Sequence, residues 1–193
     1  MALSDYLDLR TAVIEQIGNA DITDVFDRLV KFAENDFNRR LRCREMMVDD
    51  TLVVSGGSVA LPAGFMEVLH LSTQAGKEQV QLPWQKYVKA VNKEGFFSIL
   101  GSDLHANDAE YDFTYYTKLP TLTTSATTSN WLLAKHPELY LYAVAEKAAK
   151  HIGNIELAQA SGSLAETEYN AVAGQDYAER FARARVRVAG VAP

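Results

Sequence analysis

The stretch Val48-Asp-Asp-Thr-Leu-Val-Val-Ser-Gly-Gly-Ser-Val-Ala-Leu61 decides the fold. Before it, apolar residues recur every three or four positions. Within it they form short β-branched runs on either side of Ser55-Gly56-Gly57-Ser58, so the period changes from that of a helix to that of a strand. The paired glycines read as the turn of a hairpin joining Leu52-Val53-Val54 to Val59-Ala60-Leu61. They lack the lysine and the strand-to-helix setting of a phosphate-binding loop.

Downstream, Pro62 and Gly64 break the pattern and a second alternation runs from Phe65 to Leu71. Gln74-Ala-Gly-Lys77 is a turn, and Val80-Gln81-Leu82 is a short strand closed by Pro83. Trp84 to Asn92 has helical spacing, with Trp84, Tyr87, Val88 and Val91 on one side. Strands follow at Phe96 to Leu100 and Tyr111 to Thr117. Residues 48–120 are therefore expected to form one small antiparallel sheet.

Both flanks read as helix. Upstream, Tyr6, Leu7, Val13, Ile14 and Ile17 follow Ser4 at helical spacing and stop at Gly18-Asn19; Asp21 or Thr23 then caps a helix with Phe26, Leu29, Val30, Ala33, Phe37 and Leu41 on one stripe. The short connection predicts that these two helices, residues 1–47, pack as an antiparallel pair. Beyond Lys118-Leu-Pro120, Thr121 to Asn130 is a Thr/Ser-rich loop expected to be mobile. Helix returns at Trp131, runs to Gly153, and resumes from Ile155 to about Val188, roughly 50 Å of chain. Its large apolar residues, Leu157, Leu164, Val172 and Phe181, are sparse, which predicts that it leans on a neighbouring subunit. The fold class is α+β, mainly α with a β insertion: a helical bundle built from both chain ends (1–47 and 121–179), an inserted sheet, and a basic tail at 180–193.

Composition fits a globular chain: 193 residues, 48% hydrophobic, 10% aromatic, 23% charged, with one cysteine, Cys43. A lone cysteine excludes an internal disulfide framework. The start has no basic region followed by an apolar core, and no apolar run reaches the ~20 residues of a membrane span, so the chain is expected to be made in a reducing cytoplasm and to need no membrane. The net charge of -6 averages two regimes. Arg39, Arg40, Arg42 and Arg44 crowd six positions, and Arg180, Arg183, Arg185 and Arg187 end the chain. Taking those eight from 19 bases leaves 11 against 25 acids, a balance of -14. A general nucleic-acid binder would show a dominant basic face, so the two arginine clusters stand out as contact sites on an acidic body.

No constellation supports catalysis or a cofactor. Cys43 sits among arginines, which favour the thiolate, but has no histidine near it in sequence to serve as base. Asp103, His105 and Asp108 fall within six positions at a spacing that matches no metal motif. Glu34 and Asp36 read as a solvated helix face rather than as an acid pair. The tail alternates Arg183, Arg185 and Arg187 with Ala184, Val186 and Val188, a pattern suited to reaching an acidic partner or adding a strand to its sheet.

Four segments together resemble the head-to-tail adaptor, or head-completion, proteins of tailed bacteriophages: Ala33-Glu-Asn-Asp-Phe-Asn-Arg-Arg-Leu-Arg42, Leu61-Pro-Ala-Gly-Phe-Met-Glu-Val-Leu-His-Leu71, Tyr111-Asp-Phe-Thr-Tyr-Tyr-Thr-Lys-Leu-Pro-Thr-Leu122 and Asn130-Trp-Leu-Leu-Ala-Lys-His-Pro-Glu-Leu-Tyr-Leu-Tyr142. The resemblance spans Phe26 to Tyr169, and departs from the family where Ile99 to Asp108 replaces a proline-punctuated strand. It implies a non-enzymatic virion protein of the neck, commonly a ring of twelve copies, that docks beneath the portal protein, offers a platform to a tail or nozzle protein, and encloses DNA without binding it tightly. On that reading Arg180, Phe181, Arg183, Arg185, Val186, Arg187 and Val188 engage the portal. Subunit contacts then fall to Arg39, Arg40, Arg42, Arg44, Leu157, Leu164 and Val172. The alternative is a nucleic-acid-associated factor that binds through the same arginines.

Overall fold

The computed structural model describes residues 3–181. In chain order its elements are α1 (Tyr6–Ile17), α2 (Phe26–Arg40), β1 (Met47–Val54), β2 (Ser58–Ala60), β3 (Phe65–Thr73), β4 (Val80–Gln81), α3 (Trp84–Lys89), β5 (Phe96–Leu100), β6 (Asp103–His105), β7 (Ala109–Thr117), α4 (Trp131–Lys135), α5 (Pro137–His151) and α6 (Ile155–Phe181). Of the described residues about 49% are helical and 23% extended, the α+β class that the periodicity predicted. The chain divides into two compact units, Met1–Glu45 with Leu119–Pro193, and Met46–Lys118.

The helical unit is organised around α5. Leu139, Tyr140, Ala143, Val144, Ala145, Ala148 and Ala149 are all buried, so this helix is covered on most of its circumference. The pairing expected of α1 and α2 does not form along their length. Each packs instead on α5, because the six-residue 3-10 turn Ala20–Val25 separates them. That turn also replaces the expected cap: Asn19 caps its entry by accepting from the Asp21 N–H, and α2 starts directly from it at Phe26 without a side-chain cap. Asp5 caps α1 by accepting from the N–H groups of Leu7 and Asp8, and Gly18 closes it.

Helix α6 returns along α5 and buries a seam of Ala158, Ser161, Ala165, Tyr169 and Val172. The spacing of three and four residues keeps the seam on one face. Small side chains let two helices approach closely, so α6 is better packed in its own subunit than its few large apolar residues suggested. The Thr/Ser-rich loop, expected to be mobile, is tied into the same unit. The Leu122 N–H donates to Glu34 (2.8 Å), the Tyr6 N–H to the Thr128 carbonyl (2.8 Å), and Asn130 Nδ2 to the Pro120 carbonyl (2.8 Å).

The inserted unit holds two sheets rather than one. In the first, β7 lies between β1 and β3; in the second the order is β2-β6-β5-β4. All pairs are antiparallel except β4 with β5. Leu52, Val54, Leu71, Tyr111, Phe113 and Tyr115 from the first sheet share a core with Phe97 and Leu104 of the second. The hairpin read at Ser55-Gly56-Gly57-Ser58 exists only at its turn. Gly56 and Gly57 both have positive φ, as a two-residue hairpin turn requires, and Ser55 bridges Ser58. The chain then diverges, and β2 pairs with β6 in the other sheet. Strand β6 falls in the segment holding Asp103, His105 and Asp108, where the sequence shows no strand. Three residues are too few to show a period of two, yet Leu104 at their centre is fully buried.

Candidate assembly surface

Of the arginines at the end of α2, Arg40 reaches the middle of α6 and Arg44 its far end, while Arg39 and Arg42 bond within α2 and its cap. Positive charge there complements the negative end of the helix dipole. Arg42 Nη1 donates to the carbonyls of Asn38 (2.9 Å) and Leu41 (2.6 Å), satisfying acceptors that the helix leaves open. Arg39 pairs with Asp36 on the same helix. Arg40 Nη2 donates to both carboxylate oxygens of Glu166, at 2.7 and 2.8 Å, and its guanidinium lies 3.7 Å from the centroid of the Tyr169 ring.

Beyond the helix end, the Arg44 N–H donates to Asp176 (2.7 Å) and its side chain pairs with Glu179 (2.6 Å). Arg180 completes the lacing. Its Nε pairs with Asp176 (2.7 Å) and its Nη2 donates to the Arg42 carbonyl (2.6 Å). Glu166, Asp176 and Glu179 were not distinguishable in the sequence from other acids of a solvated helix. Their role depends on α6 running back far enough to meet the end of α2, which only tertiary packing decides.

Of the residues expected at subunit contacts, Arg39, Arg40 and Arg44 keep much of their side chains in solvent, Leu164 is exposed, Leu157 is half-buried, and Val172 is buried in the seam with α5. Arg180 lies in the last turn of α6 and Phe181 is its last residue. Arg183, Arg185, Val186, Arg187 and Val188 lie outside the described residues.

Under the arginines, Cys43 is buried beside Glu45, His136, Val172 and Asp176. Here the spatial neighbours reverse what the sequence neighbours suggested. Burial first, then Asp176 and Glu45, push the thiol up to about 11, and Arg180 only partly offsets them. A thiol so placed is a poor nucleophile. Burial likewise lowers the His136 imidazole.

The remaining candidates have structural partners. Glu34 is buried and accepts from the Leu122 N–H and from the Tyr140 hydroxyl; burial pushes its carboxyl above the usual range. Asp36 accepts from Lys147 at 2.6 Å; burial would raise it, but Lys147 and Arg39 outweigh burial and hold it low. Asn130 caps α4 by accepting from the Leu133 N–H (3.0 Å) and donates to Tyr140 (2.7 Å), which explains its place before Trp131. In the other unit Asp108 accepts from the Gly57 N–H (2.7 Å), pinning the glycine turn, and the His105 ring packs on Trp84. Among the described residues no three His, Cys, Asp or Glu side chains are grouped so as to hold a metal ion, and no helix is long and apolar enough to cross a membrane.

These features are joints between helices and strands, and one of the ion-pair networks among the described residues binds a long helix by its end. A search of curated proteins finds no match to the chain. A family model does match, over residues 4–190, nearly the whole sequence, and its description is SU10 adaptor protein. The chain belongs to the SU10 adaptor protein family, a family of phage head–tail adaptors.

Proposed function

We propose that this adaptor forms a ring beneath the portal, commonly of twelve copies, and joins the DNA-filled head to the tail as a non-enzymatic component of the virion neck. The observation that carries the reading is the family match over residues 4–190. The arginine–carboxylate lacing adds support, because it fixes the end of α6 so that the basic segment after Phe181 starts from a defined place. Residues 180–188 then engage the portal, and the opposite surface of the ring receives a tail or nozzle protein. Neighbouring subunits meet through the solvent-facing parts of Arg39, Arg40, Arg42 and Arg44 and through the outer side of α6, with Leu157 and Leu164. The domain boundaries follow the four segments of the sequence, with the sheet region as an insertion into the bundle. An acidic body lets DNA pass without the counterion release that tight binding needs. The nucleic-acid alternative has less support, since the chain carries 25 acids against 19 bases and shows no dominant basic face.

The test is deletion of the residues after Glu179. The shortened chain is expected to keep its far-ultraviolet circular dichroism and to lose attachment to portal-bearing heads. Normal docking would remove the tail from the proposal. Mass measurement with and without portal reports whether a ring forms and with how many copies.

A further inference from the structure

The inserted unit carries two exposed surfaces of opposite charge on separate elements. The first is α3 with the turn after it. Between residues 79 and 93 there is no acid, while Lys86, Lys89 and Lys93 are all exposed. Among the described residues none of the three forms an ion pair; Lys93 instead lies 4.9 Å from the Tyr87 ring. Two apolar side chains stand among these lysines, Val88 at 53% and Val91 at 106% exposure. Apolar side chains set among charges of one sign suit a contact with a surface of the opposite sign.

The second surface is the outer face of the β1-β7-β3 sheet. Register places Asp49 opposite Thr114, Thr51 opposite Asp112 and Val53 opposite Glu110. Alternation puts these six residues on the face away from Leu52, Phe113 and Tyr111, which point into the core. Asp49, Glu110 and Asp112 are exposed, and Val53 stands among them at 63% exposure. The local polar partners are neutral: Thr114 donates to Asp49 (2.7 Å) and Gln74 to Asp112 (3.3 Å). Each surface is thus a row of one charge sign around exposed valine, the acid that follows Lys93, Glu94, being paired with Lys77.

The two face different ways. In the second sheet Leu104 and Ile99 turn toward the shared core, whereas their neighbours His105 and Ser98 turn away from it. Trp84 of α3 packs on His105 with ring centroids 4.6 Å apart, which sets α3 on the side of the second sheet remote from the first. Complementary surfaces on different sides of one body cannot satisfy each other within a chain. They join one copy to the next, head to tail, and such contacts close into rings when the rotation allows.

We infer that Lys86, Lys89 and Lys93, with Val88 and Val91, dock on Asp49, Glu110, Asp112 and Val53 of a second copy of this chain. This rests on the ring reading above and names a pair of surfaces for it. Charge complementarity supplies orientation and rejects the reversed, like-charge approach, while the valines supply apolar contact.

The test compares self-association of the full chain by sedimentation at low and high salt. Three variants are compared with the wild type: Lys86→Glu/Lys89→Glu/Lys93→Glu, Asp49→Lys/Glu110→Lys/Asp112→Lys, and the chain carrying all six changes. Each triple reversal is expected to weaken association by about tenfold or more, with the loss largest at low salt. The six-fold variant restores it, because the two signs are exchanged together. Circular dichroism of each variant checks folding. Carbodiimide cross-linking of mixed isotope-labelled and unlabelled wild type is expected to give intermolecular links from the α3 lysines to Asp49, Glu110 or Asp112, a readout independent of the variants. A wild type that stays monomeric and unlinked overturns the inference, as do triple reversals that associate normally or a folded six-fold variant as defective as the triples. If association follows the charge swap but no form docks on heads, the proposed place beneath the portal fails and the contact stands.

Discussion

The Tyr140 hydroxyl donates to Glu34 Oε1 at 3.2 Å while it accepts from Asn130 Nδ2 at 2.7 Å, so one buried ring links α2, α5 and the start of α4. The same Glu34 oxygen accepts from the Leu122 N–H. Truncation at Glu34 would leave a buried hydroxyl and a buried amide without acceptors. Glu34→Ala is therefore expected to cost about 2–4 kcal/mol, measured by urea unfolding. Tyr140→Phe, which leaves Glu34 its bond from Leu122, is expected to cost less.

Burial raises the Glu34 carboxyl above its unfolded value. The folded state thus holds the proton more tightly than the unfolded state. Glu34's contribution is fully present below the unfolded pKa and is lost as pH rises through the folded pKa. The stability difference between wild type and Glu34→Gln, followed across the acidic range, is expected to fall with rising pH. A flat difference curve would show that Glu34 carries the same charge in both states.

Much of this architecture is legible in the sequence, and the limits are physical. The helices flanking Val48 to Leu61 show because each has one apolar stripe, and α5 and α6 show because Gly153-Asn154 interrupts them. Strand β6 does not show, since Asp103-Leu-His105 contains a single apolar residue. The partner of β2 does not show either: a glycine turn announces a hairpin, but which strand β2 joins depends on tertiary pairing. At the candidate surface the arginine clusters are visible as composition. Their convergence with Asp176 and Glu179 is not, because residues more than a hundred positions apart meet only after α6 has packed on α5.

Leu61-Pro-Ala-Gly-Phe65, one of the segments carrying the family resemblance, owes its glycine to geometry. Gly64 has φ of 82°, and a Cβ built there would lie 3.0 Å from Thr117 Oγ1, while its carbonyl accepts from the Lys118 N–H at 2.8 Å. Gly64→Ala is expected to cost about 1–3 kcal/mol, combining left-handed strain with the close contact. Gly101→Ala, also at positive φ but with no atom within 4 Å of the added carbon, is expected to cost less. Thermal unfolding of the two variants makes the comparison.

Cys43 is expected to react slowly. With the thiol pushed up to about 11 and the residue buried, the thiolate fraction at neutral pH is far below that of a free cysteine. Iodoacetamide should label the native chain much more slowly than the urea-unfolded chain. Rapid native labelling would mean that the end of α6 opens readily over the thiol.

Asp176 accepts from the Arg44 N–H, pairs with Arg180 and raises the Cys43 thiol. The surrounding ion pairs, Arg40 with Glu166 and Arg44 with Glu179, are substantially exposed, so each alone is worth about 0–1 kcal/mol. The Asp176 side chain is only 13% exposed, and two of its bonds tie α6 to residues beyond α2 or within its own last turn. Asp176→Ala removes both at once. The expected result is a modest loss of global stability, about 1–2 kcal/mol, with a larger local effect. Amide exchange should rise from Val172 to Arg180 while α5 stays protected, and Cys43 labelling should quicken because an opening raises its exposure and a negative neighbour is gone. Uniform acceleration across both helices would show instead that the end of α6 unfolds only with the whole bundle, leaving Asp176 no separate part in fixing where the basic segment begins.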